Sequence, residues 1–132
     1  MLTGGCYCGA IRYATAGPVV NQAICHCAMC RGTTGAPCVA WFSVPSGSFK
    51  LTGAEPARFR SSGHATRTFC PTCGTQLTFT DDASLDETDV TTCSLDDPGP
   101  MRPHSHIFTS SAVPWLSRVD ELPQFLRSRT QG

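Results

Sequence analysis

Residues 70–80 read CPTCGTQLTFT, and the reading of this stretch decides what fold the chain can adopt. Its first half has the form Cys-x-x-Cys-Gly, and its second half alternates Leu77 and Phe79 with threonines in the manner of a strand. Two thiols at this spacing can clasp one metal ion. Pro71 fixes the first leg of the knuckle, and Gly74 lets the chain double back so that backbone N–H groups face the sulfurs. A tetrahedral zinc needs four soft ligands, usually two from each of two knuckles. A matching half stands near the start, as Cys6-x-Cys8-Gly9. Joined, Cys6, Cys8, Cys70 and Cys73 make a closed four-cysteine site that ties residue 6 to residue 73, and we read it as a structural zinc.

Outward from this staple, the chain reads as all-β. Short runs of alternating or β-branched character recur at AIRYAT (10–15), PCVAWFSV (37–44), SFKLTG (48–53), ARFRSS (57–62), TQLTFT (75–80) and TDVTTCSL (88–95). Turn residues separate them, as at Pro45-Ser46-Gly47-Ser48, Ser62-Gly63-His64 and Asp97-Pro98-Gly99-Pro100. With twelve Gly and ten Pro there is little room for helix, and no window keeps a 3.6-residue apolar period. The helical candidates are a turn after Cys30 and a short piece at LPQFLRSR (122–129). Residues 1–132 are therefore expected to form one small zinc-stapled β-domain with little helix, its last five residues frayed.

Composition limits the function. Ten basic residues balance ten acidic ones, and Lys50 is the only lysine, which argues against a nucleic-acid partner. No run approaches the ~18 apolar residues of a membrane span, and MLTGGCYCGA has neither the basic start nor the apolar core of a signal peptide. The expected location is cytoplasmic. There thiols stay reduced, and nine cysteines, an odd number, point to metal or catalysis rather than to disulfides.

The remaining cluster is CHCAMC, residues 25–30. Cys25, Cys27 and Cys30 offer three ligands with no partner knuckle, which leaves one coordination position open, as in catalytic rather than structural zinc. His26, Cys38 or Cys93 are rivals that could close it. His26 lies between two ligands and is expected to point away from the metal they share. Cys38 and Cys93, inside strand-like runs, are expected to be small buried hydrophobes.

These motifs resemble the glutathione-dependent formaldehyde-activating enzymes, a family that includes the centromere protein V type. The resemblance runs through GGCYCGAIRY (4–13), CHCAMCRGTTGAP (25–37), FCPTCGTQLTF (69–79), DVTTCSLDDP (89–98), HIFTSSAVPWL (106–116) and DELPQF (120–125). It implies a β-tent fold, a structural zinc on Cys6, Cys8, Cys70 and Cys73, and a second zinc on Cys25, Cys27 and Cys30, two per chain. It further implies a carbon–sulfur lyase that adds the thiol of glutathione to formaldehyde, giving S-hydroxymethylglutathione.

The chemistry of the second site agrees with that implication. Three thiolates on a dication leave a net charge of minus one, which weakens the metal as a Lewis acid but suits it to take an incoming thiol as a fourth sulfur. Arg31, next to Cys30, is the candidate for a substrate carboxylate. Arg58, Arg60 and Arg67 read as surface charges, His104 and His106 as surface or satisfied histidines, and Trp41, Phe42 and Trp115 as core. The expected partners are a small thiol and a small aldehyde. The rival reading is a non-catalytic zinc-stapled binding module in which both metals are structural. A thiol–disulfide oxidoreductase on Cys70 and Cys73 and a nucleic-acid zinc ribbon fit less well, the first for want of a βαβ pattern and the second for want of basic charge.

Overall fold

β-Branched and aromatic runs broken by Gly and Pro give ten short strands and one helix among the described residues, 1–130 of the computed structural model. Residues 131 and 132, part of the end expected to fray, lie outside the described residues. In chain order the elements are β1 (Leu2–Gly5), β2 (Arg12–Thr15), β3 (Val20–Cys25), α1 (Ala28–Thr34), β4 (Val39–Pro45) and β5 (Lys50–Leu51). β6 (Ala57–Ser62), β7 (Ala65–Phe69), β8 (Gln76–Asp81), β9 (Glu87–Thr91) and β10 (Ser105–Ile107) follow. Two sheets result: β1-β2-β5, and a seven-stranded sheet in the order β10-β3-β4-β9-β8-β7-β6. All pairings are antiparallel except that of β10 with β3. The class is mainly β, as the punctuation of the sequence requires.

Strand alternation sorts the interior into two cores. On β4, Phe42 and Val44 turn to one face and join Cys6, Ile11, Tyr13, Cys70 and Val90. Trp41 turns to the other face and packs with Cys25, Cys30 and Phe79. The first and last cysteine groups thus belong to one core and the middle group to the other.

Four expectations need correction. The helix begins before Cys30 rather than after it, because Cys27 caps it by accepting the Cys30 N–H. LPQFLRSR holds no helix: Pro123 keeps Leu122 extended, and the helical turn there is instead a 3-10 segment, Pro114–Glu121. Trp115 sits in that segment and is 58% exposed, since none of its residues is buried. Cys93 is exposed and Cys38 only half-buried; β9 ends at Thr91, and the 3-10 turn Thr92–Ser94 breaks the alternation that would have carried Cys93 inward. Among the described residues, no helix is long and apolar enough to cross a membrane.

Candidate metal centres

The first knuckle is a tight loop between β1 and β2, the second a loop between β7 and β8, and the two repeat each other's backbone. The Cys6 N–H donates to the Ile11 carbonyl at 3.0 Å, and the Cys70 N–H to the Thr75 carbonyl at 3.0 Å. Gly9 and Gly74 both stand at φ +83°, in the left-handed region that glycine enters without strain. N–H groups aim at the sulfurs: Ile11 donates to Cys6 Sγ at 3.2 Å, and Thr72 and Cys73 to Cys70 Sγ at 3.4 Å each. The sulfurs of Cys6, Cys8, Cys70 and Cys73 all lie within 4.8 Å of one another. Cys6 Sγ and Cys8 Sγ are 3.5 Å apart, and Cys8 Sγ and Cys70 Sγ 3.8 Å. Hydrogen bonds from the Thr75 hydroxyl and N–H hold the Cys73 thiol down at about 5.

The middle group is built differently. β3 delivers Cys25 at its last position, the chain turns through His26, and Cys27 becomes the N-cap of α1, its Sγ accepting from the Cys30 N–H at 3.3 Å. One helical turn then brings Cys30 back beside them. The three sulfurs lie within 4.8 Å of one another, and among the described residues no further His, Cys, Asp or Glu ligand atom joins the group. Cys38 and Cys93 stand outside it. His26 is buried and turned away as expected, its Nε2 2.9 Å from Nδ1 of His106 on β10. His104 is exposed, its backbone N–H donating to the Gln22 carbonyl at 2.8 Å.

Burial pushes the Cys25 thiol up to about 12. It also raises Cys30, with Cys27 adding to the rise and Arg67 opposing it. For Cys27 burial is outweighed by the Cys30 N–H, the neighbouring thiols and Arg67, so its thiol ionises more readily than usual. These are the preferences of the sulfurs alone. A dication among them would draw all three to thiolates, and three soft donors within bonding reach of one point fit zinc.

Sequence reasoning misplaced one side chain that matters here. Arg67, expected at the surface, is 2% exposed. Register pairs it with Phe79 across β7 and β8, and its guanidinium lies 5.1 Å from the Phe79 ring and 5.9 Å from that of Trp41. Its Nη2 reaches Cys30 Sγ at 3.6 Å. Arg58 and Arg60 are exposed as expected, Arg60 paired with Asp82. Arg31 follows Cys30 on α1, half-buried, with its Nε unpartnered. A cavity of about 300 Å³ opens between the end of α1 (Thr33, Thr34), the second knuckle (Gly74, Thr75) and Thr91 and Cys93.

A family model described as "Glutathione-dependent formaldehyde-activating enzyme" matches residues 1–111, which include all seven grouped cysteines. The crystal structure of a Rhodobacter sphaeroides protein superposes with a TM-score of 0.62 at 20% identity, covering 79% of this chain and 98% of that one. At that identity the likeness speaks to the fold alone.

Proposed function

This chain belongs to the glutathione-dependent formaldehyde-activating enzyme family, and from that premise we propose that it joins a glutathione-like thiol to a small aldehyde at Cys25, Cys27 and Cys30. The observation that carries this reading is the incomplete ligand set: three sulfurs together, with no fourth donor in the group among the described residues. Cys6, Cys8, Cys70 and Cys73 form the complete set, and we assign them the structural zinc.

The bond changes are few. A C–S bond forms between the thiol sulfur and the aldehyde carbon, the C=O π pair moves to oxygen, and the S–H proton ends on that oxygen. Run backwards, the same steps make a carbon–sulfur lyase. Zinc on the three thiolates would supply a position at which the thiol is held and loses its proton near neutral pH. The chain's own share is placement. Cys27 at the N-cap and Cys30 one turn later fix two donors on a rigid helix end, and Cys25 is fixed by its pairing with Val39 in β4. Arg31 is the candidate contact for a glutathione carboxylate, its guanidinium matched to a planar anion. The cavity between α1 and the second knuckle, rich in threonine hydroxyls, is where we place the body of the thiol substrate.

Exchange NMR with ¹³C-formaldehyde and glutathione tests the reading by measuring how fast free and thiol-bound carbon interconvert. Zinc-loaded protein should raise that rate above the uncatalysed value, and Cys27→Ser should return it to background. A wild-type rate at background, with both metals bound, would favour the binding module.

A further inference from the structure

The buried guanidinium of Arg67 has no carboxylate partner. The ion pairs among the described residues that do not depend on a histidine's protonation are Arg12–Asp96, Arg60–Asp82 and Arg118–Glu121, His64 lies near Asp81, and Arg67 is in none of these contacts. Its Nε and Nη1 are buried with no hydrogen-bond partner, and Nη2 has Cys30 Sγ alone. The rings of Trp41 and Phe79 account for the fit of its flat head. Their attraction for a cation offsets only part of the cost of its charge, and an aliphatic side chain would pack on the same rings without burying a cation. The one polar group its guanidinium reaches is Cys30 Sγ, which as a metal-bound thiolate would supply the balancing charge.

We propose that Arg67 is a positioning residue that neutralises the three-cysteine centre and so allows it to accept an anionic fourth ligand, a thiolate. This rests on the open-centre reading above. Three thiolates on a zinc dication carry minus one, and a thiolate added to them would face that charge. With Arg67 against Cys30 the assembly is neutral before the ligand enters. At the effective dielectric of a protein site, one unit charge a few ångströms away changes the affinity for an anion by roughly tenfold or more. A neutral ligand feels little of this. Arg67 therefore selects the charge of the fourth ligand rather than its shape.

The test uses full-length protein with both sites loaded with cobalt(II), whose visible bands report ligand exchange. The probes are 2-mercaptoethanol, a thiol with no carboxylate for an arginine to bind, and imidazole, a neutral donor. Arg67→Met should weaken the thiol at least tenfold while imidazole stays within threefold of wild type; Arg67→Lys, which keeps the charge and loses the flat stack, should stay within threefold for both. Unchanged thiol affinity in the methionine variant would overturn the proposal. So would equal losses for both ligands, or a tenfold loss of thiol affinity in the lysine variant, since those mark a merely structural role. If the methionine variant does not fold, Arg67→Gln, which keeps a polar head and loses the charge, takes its place on the same limits. Wild-type protein whose bands respond to neither ligand would instead remove the open centre, and the proposal with it.

Discussion

The backbone N–H of Tyr7 donates to Thr75 Oγ1 at 3.0 Å, and this one hydroxyl joins the two Cys-Gly knuckles across 68 residues of chain. Thr75 Oγ1 also lies 3.3 Å from Cys73 Sγ. Thr75→Val keeps the shape and removes both contacts. It should cost about 1 kcal/mol, the usual worth of such a bond, and lower the melting temperature by a few degrees in calorimetry. No change in melting would mean that metal alone joins the knuckles.

The two cysteine groups should answer mutation differently. Cys73→Ser breaks the group that ties residue 6 to residue 73, and structural zinc contributes its binding free energy to folding directly. That variant should melt far below wild type or fail to fold. Cys27→Ser keeps an N-cap oxygen for α1 and touches the smaller core, so far more structure should survive while thiol addition is lost. Circular-dichroism melts of the pair decide it, and equal unfolding of both would collapse the division into structural and catalytic sites.

The parts of this molecule that sequence made legible are those fixed by local chemistry. The Cys-Gly knuckles, the strands read at 57–62 and 75–80 and found at Ala57–Ser62 and Gln76–Asp81, and the trio at 25, 27 and 30 follow from spacing and alternation within a few residues. The parts it hid depend on what lies across the sheet. Arg67 alternates along β7 like any surface residue, and only the register that sets it against Phe79 and near Cys30 turns it inward. β3 escaped because Asn21 at φ 58° and a bulge between Val20 and Ala23 interrupt its pattern. β10 escaped because Ser-His-Ile is exposed throughout and owes its strand form to pairing with β3. The His26–His106 contact, 80 residues apart in the chain, is a product of that same pairing.

A pH dependence follows from Asp89. Burial raises its pKa, against the Ser43 hydroxyl that donates to its Oδ1 at 2.6 Å, and Glu87 adds to the rise. A carboxyl whose folded pKa lies above its unfolded value of about 3.9 favours the neutral form when folded. The penalty is absent below the unfolded pKa, grows as pH rises toward the folded one, and is complete above it. Asp89→Asn, which still accepts from Ser43, should melt higher than wild type at pH 7, with the gain fading toward pH 4. A variant less stable at pH 7 would show that the Ser43 bond needs the charge.

Metal content and ligand count close on the mechanism. Two cysteine groups, one with four sulfurs and one with three, predict two zinc sites of unequal affinity, the four-sulfur site the tighter. Elemental analysis should give between one and two zinc per chain, and mild chelation should strip one metal before the fold is lost. In the loaded protein the three-cysteine centre should hold an oxygen at roughly 2.0 Å as its fourth ligand, to be replaced by a sulfur at roughly 2.3 Å when glutathione binds. Zinc-edge X-ray absorption averages both metals, so the expected change is from seven sulfurs over two sites to eight. A bound thiol ionises below its free pKa of about 8.5, so a weakly buffered titration should release about one proton per site near neutral pH. An unchanged sulfur count at saturating glutathione, with both metals present, would reject thiol coordination and leave both centres structural.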